Sequence, residues 1–382
     1  MRIAMVIERM DTGRGGRETS TAQMATELAR RGHDVTIICR QGTWSAEGVH
    51  TRRLGSRGPL RIQRLMNFVA DVQAVTAGGE YDVVHTTLPV PGTDVYQVRG
   101  GTIPGQIEYG RRRFGRLGSL RQRLAEPGNM CRRYMLGLER RVMSAPDSFC
   151  LPVSEMIAQE VREYYPRKQR VRLVFNGVQV PDCSGAWRAD WRRQVRERLG
   201  AAPGDPVFLT VATDFRRKGV REAIRAFAQW RRGGGGANAR LVAVGRDRVA
   251  RYRRLAVKAG VERHVVFVPP TDDVFQWYAA ADAVVLLSWY DPCSRVILEA
   301  ASWAIPSIAT MYDGAAEALQ GCGIVVASPK DTPAVVAAMA ELADHDRRER
   351  RAESCRRLGA SLSMERHVDE LLDVYDQVSR QK

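Results

Sequence analysis

The sequence predicts an α/β protein of two doubly wound, parallel-sheet domains, and three features carry that expectation. Short apolar runs alternate with amphipathic helical stretches along most of the chain, the pattern of successive βαβ units. The alternation lapses after residue 178 and starts afresh at Val207. A length of 382 residues exceeds what one hydrophobic core organises well, and it suits two.

Residues 3–7 read as a short buried strand, followed by Gly13, Gly15 and Gly16, a helical pattern from Thr19 to Arg31, and a second apolar run from Val35 to Cys39. Strand, glycine loop, helix and strand make one crossover unit. Further strands are expected at 83–87, 94–98, 149–153 and 171–175, with helices at 65–76 and 155–164. The segment from Pro181 to Pro206 is charged and turn-rich around a helical pattern at 191–199, so the junction falls there or slightly before. That gives an N-terminal domain at 1–178, a C-terminal domain at 179–360, and a terminal helix at 361–382 packing back toward the first domain. In the second half, strands are expected at 207–212, 241–244, 265–268, 284–287, 307–310 and 324–326, and the chain is nearly all helical after Ala334. The run Gly233 to Gly236 reads as a mobile surface turn rather than a phosphate loop, because no helix start follows it.

With 44% hydrophobic and 27% charged residues, the chain has the makings of substantial cores. No apolar run reaches the eighteen residues of a membrane span, and Glu8 and Arg9 interrupt the N-terminal strand before a signal-peptide core forms. The expected location is the cytoplasm, at or near the inner face of the membrane. Seven scattered cysteines lack a paired short spacing, so reduced thiols and no metal site are expected. The net charge of +16 is mostly arginine and favours phosphate-bearing partners. Its hotspot runs from Arg99 to Arg141, with eleven arginines against three glutamates. Residues 111–141 there suit docking of an anionic membrane or a phosphorylated acceptor, or else form a solvated helical face. A nucleic-acid-binding protein has only the basic composition in its favour, with no recognised binding motif, so no nucleic acid is expected.

Chemistry concentrates in Tyr290-Asp291-Pro292-Cys293-Ser294-Arg295-Val296-Ile297-Leu298-Glu299-Ala300-Ala301, which follows an expected strand and leads into a helix. Asp291 at the strand end and Glu299 inside the helix can both face the carboxyl edge of a parallel sheet, where such folds bind ligands. Glu299 could there chelate the vicinal hydroxyls of a ribose. Thr213-Asp214-Phe215-Arg216-Arg217-Lys218-Gly219-Val220 also follows a strand and opens a helix.

The first segment resembles the paired-acid motif of glycosyltransferase family 4, and the second resembles that family's phosphate-gripping loop ending in Lys-Gly. Asn176-Gly177-Val178 resembles its inter-domain turn, and Asp313-Gly314 with Glu317, followed by Gly321-Cys322-Gly323, resembles its later glycine and glutamate element. Within the family the likeness is to the lipopolysaccharide core glucosyltransferase I subgroup, through Asp214-Phe215 and Pro91-Gly92-Thr93-Asp94-Val95-Tyr96.

The resemblance implies the GT-B architecture, two Rossmann-like domains facing a cleft, with the acceptor on the first and the nucleotide on the second. It implies a retaining transferase that moves a hexose, glucose in the subgroup, from a UDP-sugar to a glycan or glycolipid acceptor of the cell envelope. Arg217, Lys218 and Asp291 are the implied catalytic residues. Thr213, Ser294, Arg295, Val296 and Glu299 would bind the nucleotide sugar, joined by Gly15 and Gly16 at the start of the first helix. His85, Asp94 and Arg99 are candidate acceptor or sugar contacts. Two fixed cations take the place of a divalent metal on the departing diphosphate, so no cofactor is implied beyond the donor itself. No residue stands out as a double-displacement nucleophile, which favours same-face substitution with the leaving phosphate taking the acceptor proton.

Two departures bear on specificity. Asp291 stands where the family usually has Glu, and Cys293-Ser294 replaces Phe-Gly. Near Gly100 the usual His or Asp is absent, leaving Arg99 or a backbone carbonyl to make that contact. His85, at the end of its strand, either faces the cleft or is a hydrogen-bonded core histidine. The alternative to a live transferase is a degenerate GT-B protein that binds nucleotide sugar without turnover.

Overall fold

The structure, a computed structural model, describes residues 1–112, 129–182 and 184–382. Residues 113–128 of the basic stretch, and Cys183, lie outside the described residues. The chain forms two compact units, Met1–Val178 together with Ser363–Lys382, and Gln179–Leu362.

Unit one runs β1 (Arg2–Met10), α1 (Gly16–Arg30), β2 (Asp34–Gly42), β3 (Val49–Arg53), α2 (Arg61–Thr76), β4 (Val83–Thr86), β5 (Val95–Val98), α3 (Ile103–Arg112), α4 (Met130–Ser144), β6 (Phe149–Pro152) and α5 (Glu155–Tyr164). The strands form one parallel sheet in the order β3-β2-β1-β4-β5-β6, a doubly wound arrangement with β1 inside it. Alternation along β1 divides the core. Ile3, Met5 and Ile7 pack with Met24 and Leu28 of α1, while Ala4 and Val6 pack with Phe68, Val69 and Val72 of α2 and Leu138 of α4.

One strand of this unit was not expected, and one expected strand is corrected. The strand β3, Val-His-Thr-Arg-Arg, lay unread in the sequence because it is an edge strand whose side chains are largely exposed, leaving no apolar alternation to detect. Residues 171–175 run beside β6, with Arg172 N–H on the Cys150 carbonyl and Val174 N–H on the Pro152 carbonyl, yet only one regular bridge forms, between Cys150 and Val171.

Unit two repeats the plan with α6 (Trp187–Leu199), β7 (Val207–Ala212), α7 (Val220–Arg232), β8 (Arg240–Gly245), α8 (Ala250–Ala259), β9 (Val265–Val268), α9 (Val274–Ala280), β10 (Ala283–Leu286), α10 (Arg295–Ser302), β11 (Ser307–Thr310), β12 (Ile324–Val326), α11 (Thr332–Ala343) and α12 (His345–Gly359). Its sheet is parallel in the order β12-β11-β10-β7-β8-β9. Val220, Ala223, Ile224 and Phe227 of α7 bury one helical face, and the Trp230 ring meets Phe208 edge-on at 5.4 Å. In the glycine run after α7, Gly233 and Gly234 form an exposed turn, and Gly235 packs on the Trp230 ring, where a Cβ would lie 2.3 Å away.

The last helix, α13 (Met364–Ser379), belongs to unit one. Its Val368, Leu371, Val374 and Tyr375 complete the core face that Ile3 and Met5 begin. Among the described residues no helix is long and apolar enough to cross a membrane.

Candidate functional site

The loop between β7 and α7 is pinned before its cations are presented. Phe215 is fully buried, its ring 5.3 Å from that of Tyr252, and its N–H donates to Asp247 Oδ2 at 3.0 Å. Asp214 Oδ1 accepts the Arg217 N–H at 2.9 Å, closing a turn that leaves Thr213 exposed at the strand end. The Arg217 carbonyl in turn accepts the Trp289 N–H at 2.8 Å, which joins this loop to the one after β10. Arg217 is half-buried, and its Nε has no hydrogen-bond partner.

Lys218 reaches across that junction. Its ammonium forms a salt bridge with the Asp291 carboxylate and lies 3.4 Å from Ser294 Oγ, with the two charged side chains only 9% and 13% exposed. Asp291 Oδ1 also accepts the Cys293 N–H at 3.2 Å. Burial alone would push the Asp291 carboxyl up, but Lys218, Arg217 and these hydrogen bonds outweigh it and hold the group below its ordinary value. Asp291 is an anion here.

A second acid sits beside it. Asp291 and Asp313 form an isolated parallel bridge, with the Asp291 N–H on the Tyr312 carbonyl and the Gly314 N–H on the Asp291 carbonyl, both at 2.9 Å. Asp313 accepts the Ser294 N–H at 3.0 Å, the Ala315 N–H at 3.1 Å and the Ser288 hydroxyl at 2.9 Å. Burial, and then the charge of Asp291, push Asp313 up to about 7.

Glu299 lies five residues into α10, roughly 7.5 Å along the axis from Ser294. Its Oε1 accepts from Arg295 at 3.0 Å and its Oε2 from the Tyr278 hydroxyl at 3.0 Å. Each oxygen keeps a lone pair, so ribose chelation is compatible with this geometry, while the carboxylate is held still for it. Val296 is half-buried, and its carbonyl lies 3.4 Å from the same tyrosine hydroxyl. Arg295 is buried, and its second terminal nitrogen has no partner.

In unit one, Gly15 precedes α1, and the Thr19 N–H closes the first intrahelical bond to its carbonyl at 3.2 Å. The N–H groups of Gly16 to Glu18 therefore have no partner from within the helix, and they lie at the carboxyl edge of the sheet.

The three candidate sugar contacts of unit one are placed differently from one another. Asp94 comes before β5, at the amino edge of the sheet, where it accepts the Val84 N–H at 2.7 Å and pairs with Lys382 at 2.9 Å. It is thus corrected to a structural role, on the wrong edge to meet a ligand beside Gly15. Arg99, just past β5, is at the carboxyl edge but braces α1 against the Asn-Gly-Val turn, through Ser20, Gln97 at 2.9 Å and Asn176 at 2.5 Å. His85 is fully buried with Nδ1 2.5 Å from the Tyr375 hydroxyl of α13, which favours the core histidine over the cleft-facing one.

Burial and the Arg99 charge push the His85 imidazole down to about 3, and the same causes hold His367 well below its ordinary value. Both stay neutral in the fold while the unfolded chain charges them below about pH 6.5. The unfolded state then binds more protons, so stability is full above that pH and is lost as pH falls toward the folded values. Thermal unfolding should show a loss of about 2 kcal/mol per histidine by about pH 5. A His85→Asn variant should show a shallower decline than the native chain, and an equal slope would remove His85 from that account.

Among the described residues no three His, Cys, Asp or Glu side chains gather as a metal site. Unit two therefore assembles Arg217, Lys218, Asp291 and Ser294 round one junction, with Arg295 and Glu299 further along α10. Asp313, Ser288 and Tyr278 join them without having been assigned roles from sequence. Asp313-Gly314 was visible as a motif, whereas Ser288 and Tyr278 carried no signal.

Comparison with known proteins bears on the family and the fold. Residues 14–180 match the family described as Glycosyltransferase Family 4, and residues 205–345 match that described as Glycosyl transferases group 1. The lipopolysaccharide glucosyltransferase WaaG of Escherichia coli (strain K12) is 25% identical over 321 residues, which span 82% of each protein. A D-inositol 3-phosphate glycosyltransferase of Nocardia farcinica (strain IFM 10152) is 24% identical, over 94% of this chain and 84% of that protein. In fold, the crystal structure of WaaG superposes with a TM-score of 0.78 at 21% identity, covering 98% of this chain and 99% of that one. Anabaena Alr3699/HepE in complex with UDP-glucose gives 0.69 at 17% identity, covering 100% and 99%. Between them the two matched segments take in every strand of both sheets except β1, and the chain belongs to glycosyltransferase family 4, with the GT-B fold of two Rossmann-like domains.

Proposed function

We propose that this glycosyltransferase is a retaining, metal-independent hexosyltransferase that moves glucose from UDP-glucose to a glycan or glycolipid acceptor in envelope polysaccharide or lipopolysaccharide synthesis. The observation that carries the reading is the Lys218–Asp291 pair with Arg217 beside it, where β7 and β10 end and α10 begins. An ammonium has three donors. One meets Asp291, one points at Ser294, and the third is left for a diphosphate oxygen. Arg217 brings a second positive charge to the same place, so the charge that develops as the glycosidic bond breaks meets fixed cations in a partly buried site. Asp291, held ionised, accepts hydrogen bonds from hydroxyls of the sugar. The leaving phosphate takes the acceptor proton, and the protein positions the reactants.

The choice of UDP and glucose is supported by what similar proteins are named for and hold. WaaG is named a glucosyltransferase, and Alr3699/HepE is seen with UDP-glucose. The arginine-rich stretch supports peripheral association with an anionic membrane, at the cytoplasmic face where nucleotide sugars are made available. The many inositol-phosphate transferases among the relatives keep a phosphorylated acceptor within the same reading.

Nucleotide release from UDP-, GDP- and ADP-sugars without acceptor tests it. Slow hydrolysis confined to a UDP-sugar is the expected result. Tight UDP binding with no turnover would instead leave a nucleotide-sugar-binding protein, and neither binding nor turnover would end the reading.

A further inference from the structure

Unit two keeps a second buried carboxylate beside the first. Asp313 is 2% exposed and stands opposite Asp291 across their parallel bridge. Two carboxyl groups so placed resist joint ionisation. An asparagine has nearly the same shape and none of that cost.

The contacts of Asp313 show what the carboxylate does. Ser294, whose N–H it holds at 3.0 Å, is the residue that opens α10 and stands 3.4 Å from the Lys218 ammonium. Ala315, held at 3.1 Å, is the second residue of the 3-10 turn Gly314–Leu319 that carries Glu317. Ser288, donating at 2.9 Å, follows the end of β10. One side chain thus ties three segments into a single arrangement round Lys218. An ionised carboxylate accepts all three bonds together, whereas a protonated acid must turn one oxygen into a donor.

We propose that Asp313 is a positioning residue for donor turnover: its carboxylate sets Ser294 and Asp291 against Lys218 without itself touching the donor. This rests on the reading of Lys218 and Asp291 as the donor-facing pair. The charged groups acting on it are Asp291 and Lys218, with Arg217 acting on Asp291. Because Asp313 is pushed up to about 7, the fully bonded form fills as pH rises through that value, and kcat/KM for donor hydrolysis rises with it. Stability runs the other way. The folded chain holds a proton that the unfolded chain has already lost, so stability falls as pH rises from the ordinary carboxylate value toward 7. A residue kept only for structure would show that stability change without the rise in kcat/KM.

Hydrolysis of the donor identified above, measured with the full chain from about pH 5.5 to about pH 8.5, tests the proposal. In Asp313→Asn the rise near neutrality should vanish, leaving roughly the native low-pH rate throughout, while the melting temperature at about pH 8 matches or exceeds that of the native chain. In Asp313→Ala the Ser294 and Ala315 N–H groups lose their acceptor, and the donor KM should rise about tenfold. A pH rise that persists in Asp313→Asn overturns the proposal, as do native kcat and KM in a folded Asp313→Ala. If the alanine variant does not fold, the asparagine profile decides alone. Lys218→Ala separates the two levels. If it keeps native turnover, the donor-site reading falls, and if it loses turnover while Asp313→Asn keeps the native profile, only the role of Asp313 falls.

Discussion

Replacing Lys218 with alanine should lower donor turnover about 100- to 1000-fold, the usual effect of deleting one preorganised charge partner of a transition state. The same change strips Asp291 of its cation at a position where both side chains are largely shielded from water. An uncompensated buried charge costs about 3–5 kcal/mol, so the variant should also melt early. The two effects separate in the double variant Lys218→Ala/Asp291→Asn. Neutralising the acid removes the need for a counter-ion and should restore most of the lost stability. Turnover should stay low, because no ammonium meets the diphosphate. Native turnover in either variant would remove Lys218 from the leaving-group role, and a double variant that recovers both properties would make the pair purely structural.

The parts of this site that depend on local chain were readable in advance. Strand β7, the turn after it and helix α7 are contiguous, so Arg217 and Lys218 could be placed at a strand-to-helix junction from apolar periodicity and the glycine alone. Asp291 and Glu299 share one such junction as well. What could not be read was the pairing of Lys218 with Asp291, because nothing local links side chains 73 residues apart. The role of the second acid was hidden for the same reason. Asp313-Gly314 was visible as a motif, but only the alignment of β10 with β11 brings Asp313 against Ser294.

Unit one shows the other kind of failure. His85 was left open between core and cleft, and the partner that decides it, Tyr375, lies 290 residues away on a helix that returns to this unit. Asp94 is different, since the needed signal was present. In a parallel sheet the strand direction alone tells the two edges apart, and a residue that opens a strand stands at the amino edge, away from the loops that bind ligands. The polar edge strand β3 had no readable pattern at all, because solvent on its outer side removes the selection for alternation.

Gly219→Ala is expected to damage the enzyme as severely as the loss of Lys218, and by a purely steric route. Gly219 holds a left-handed backbone with φ of 67° at the start of α7. A Cβ there would lie 2.1 Å from the Leu287 carbonyl oxygen and 2.7 Å from the Leu287 Cβ, both in the strand-end segment that leads to Asp291. Neither neighbour is a flexible side-chain tip, so relief requires the β7–α7 loop to back away by about 1 Å. The left-handed backbone adds about 1–2 kcal/mol and overpacking about 1–3 kcal/mol, and a domain of this size should melt roughly 5–15 °C lower. Lys218 is the preceding residue and moves with the loop, and a displacement of about 1 Å in a positioned group lowers turnover about 100-fold. Thermal melts and donor hydrolysis on one preparation check both arms. Gly219→Ala should keep some activity at low temperature, where the backbone is still folded, whereas Lys218→Ala should not recover on cooling. A variant with native melting temperature and native turnover would show that the loop yields freely, and the lysine-glycine pair would then owe its place to something other than this contact.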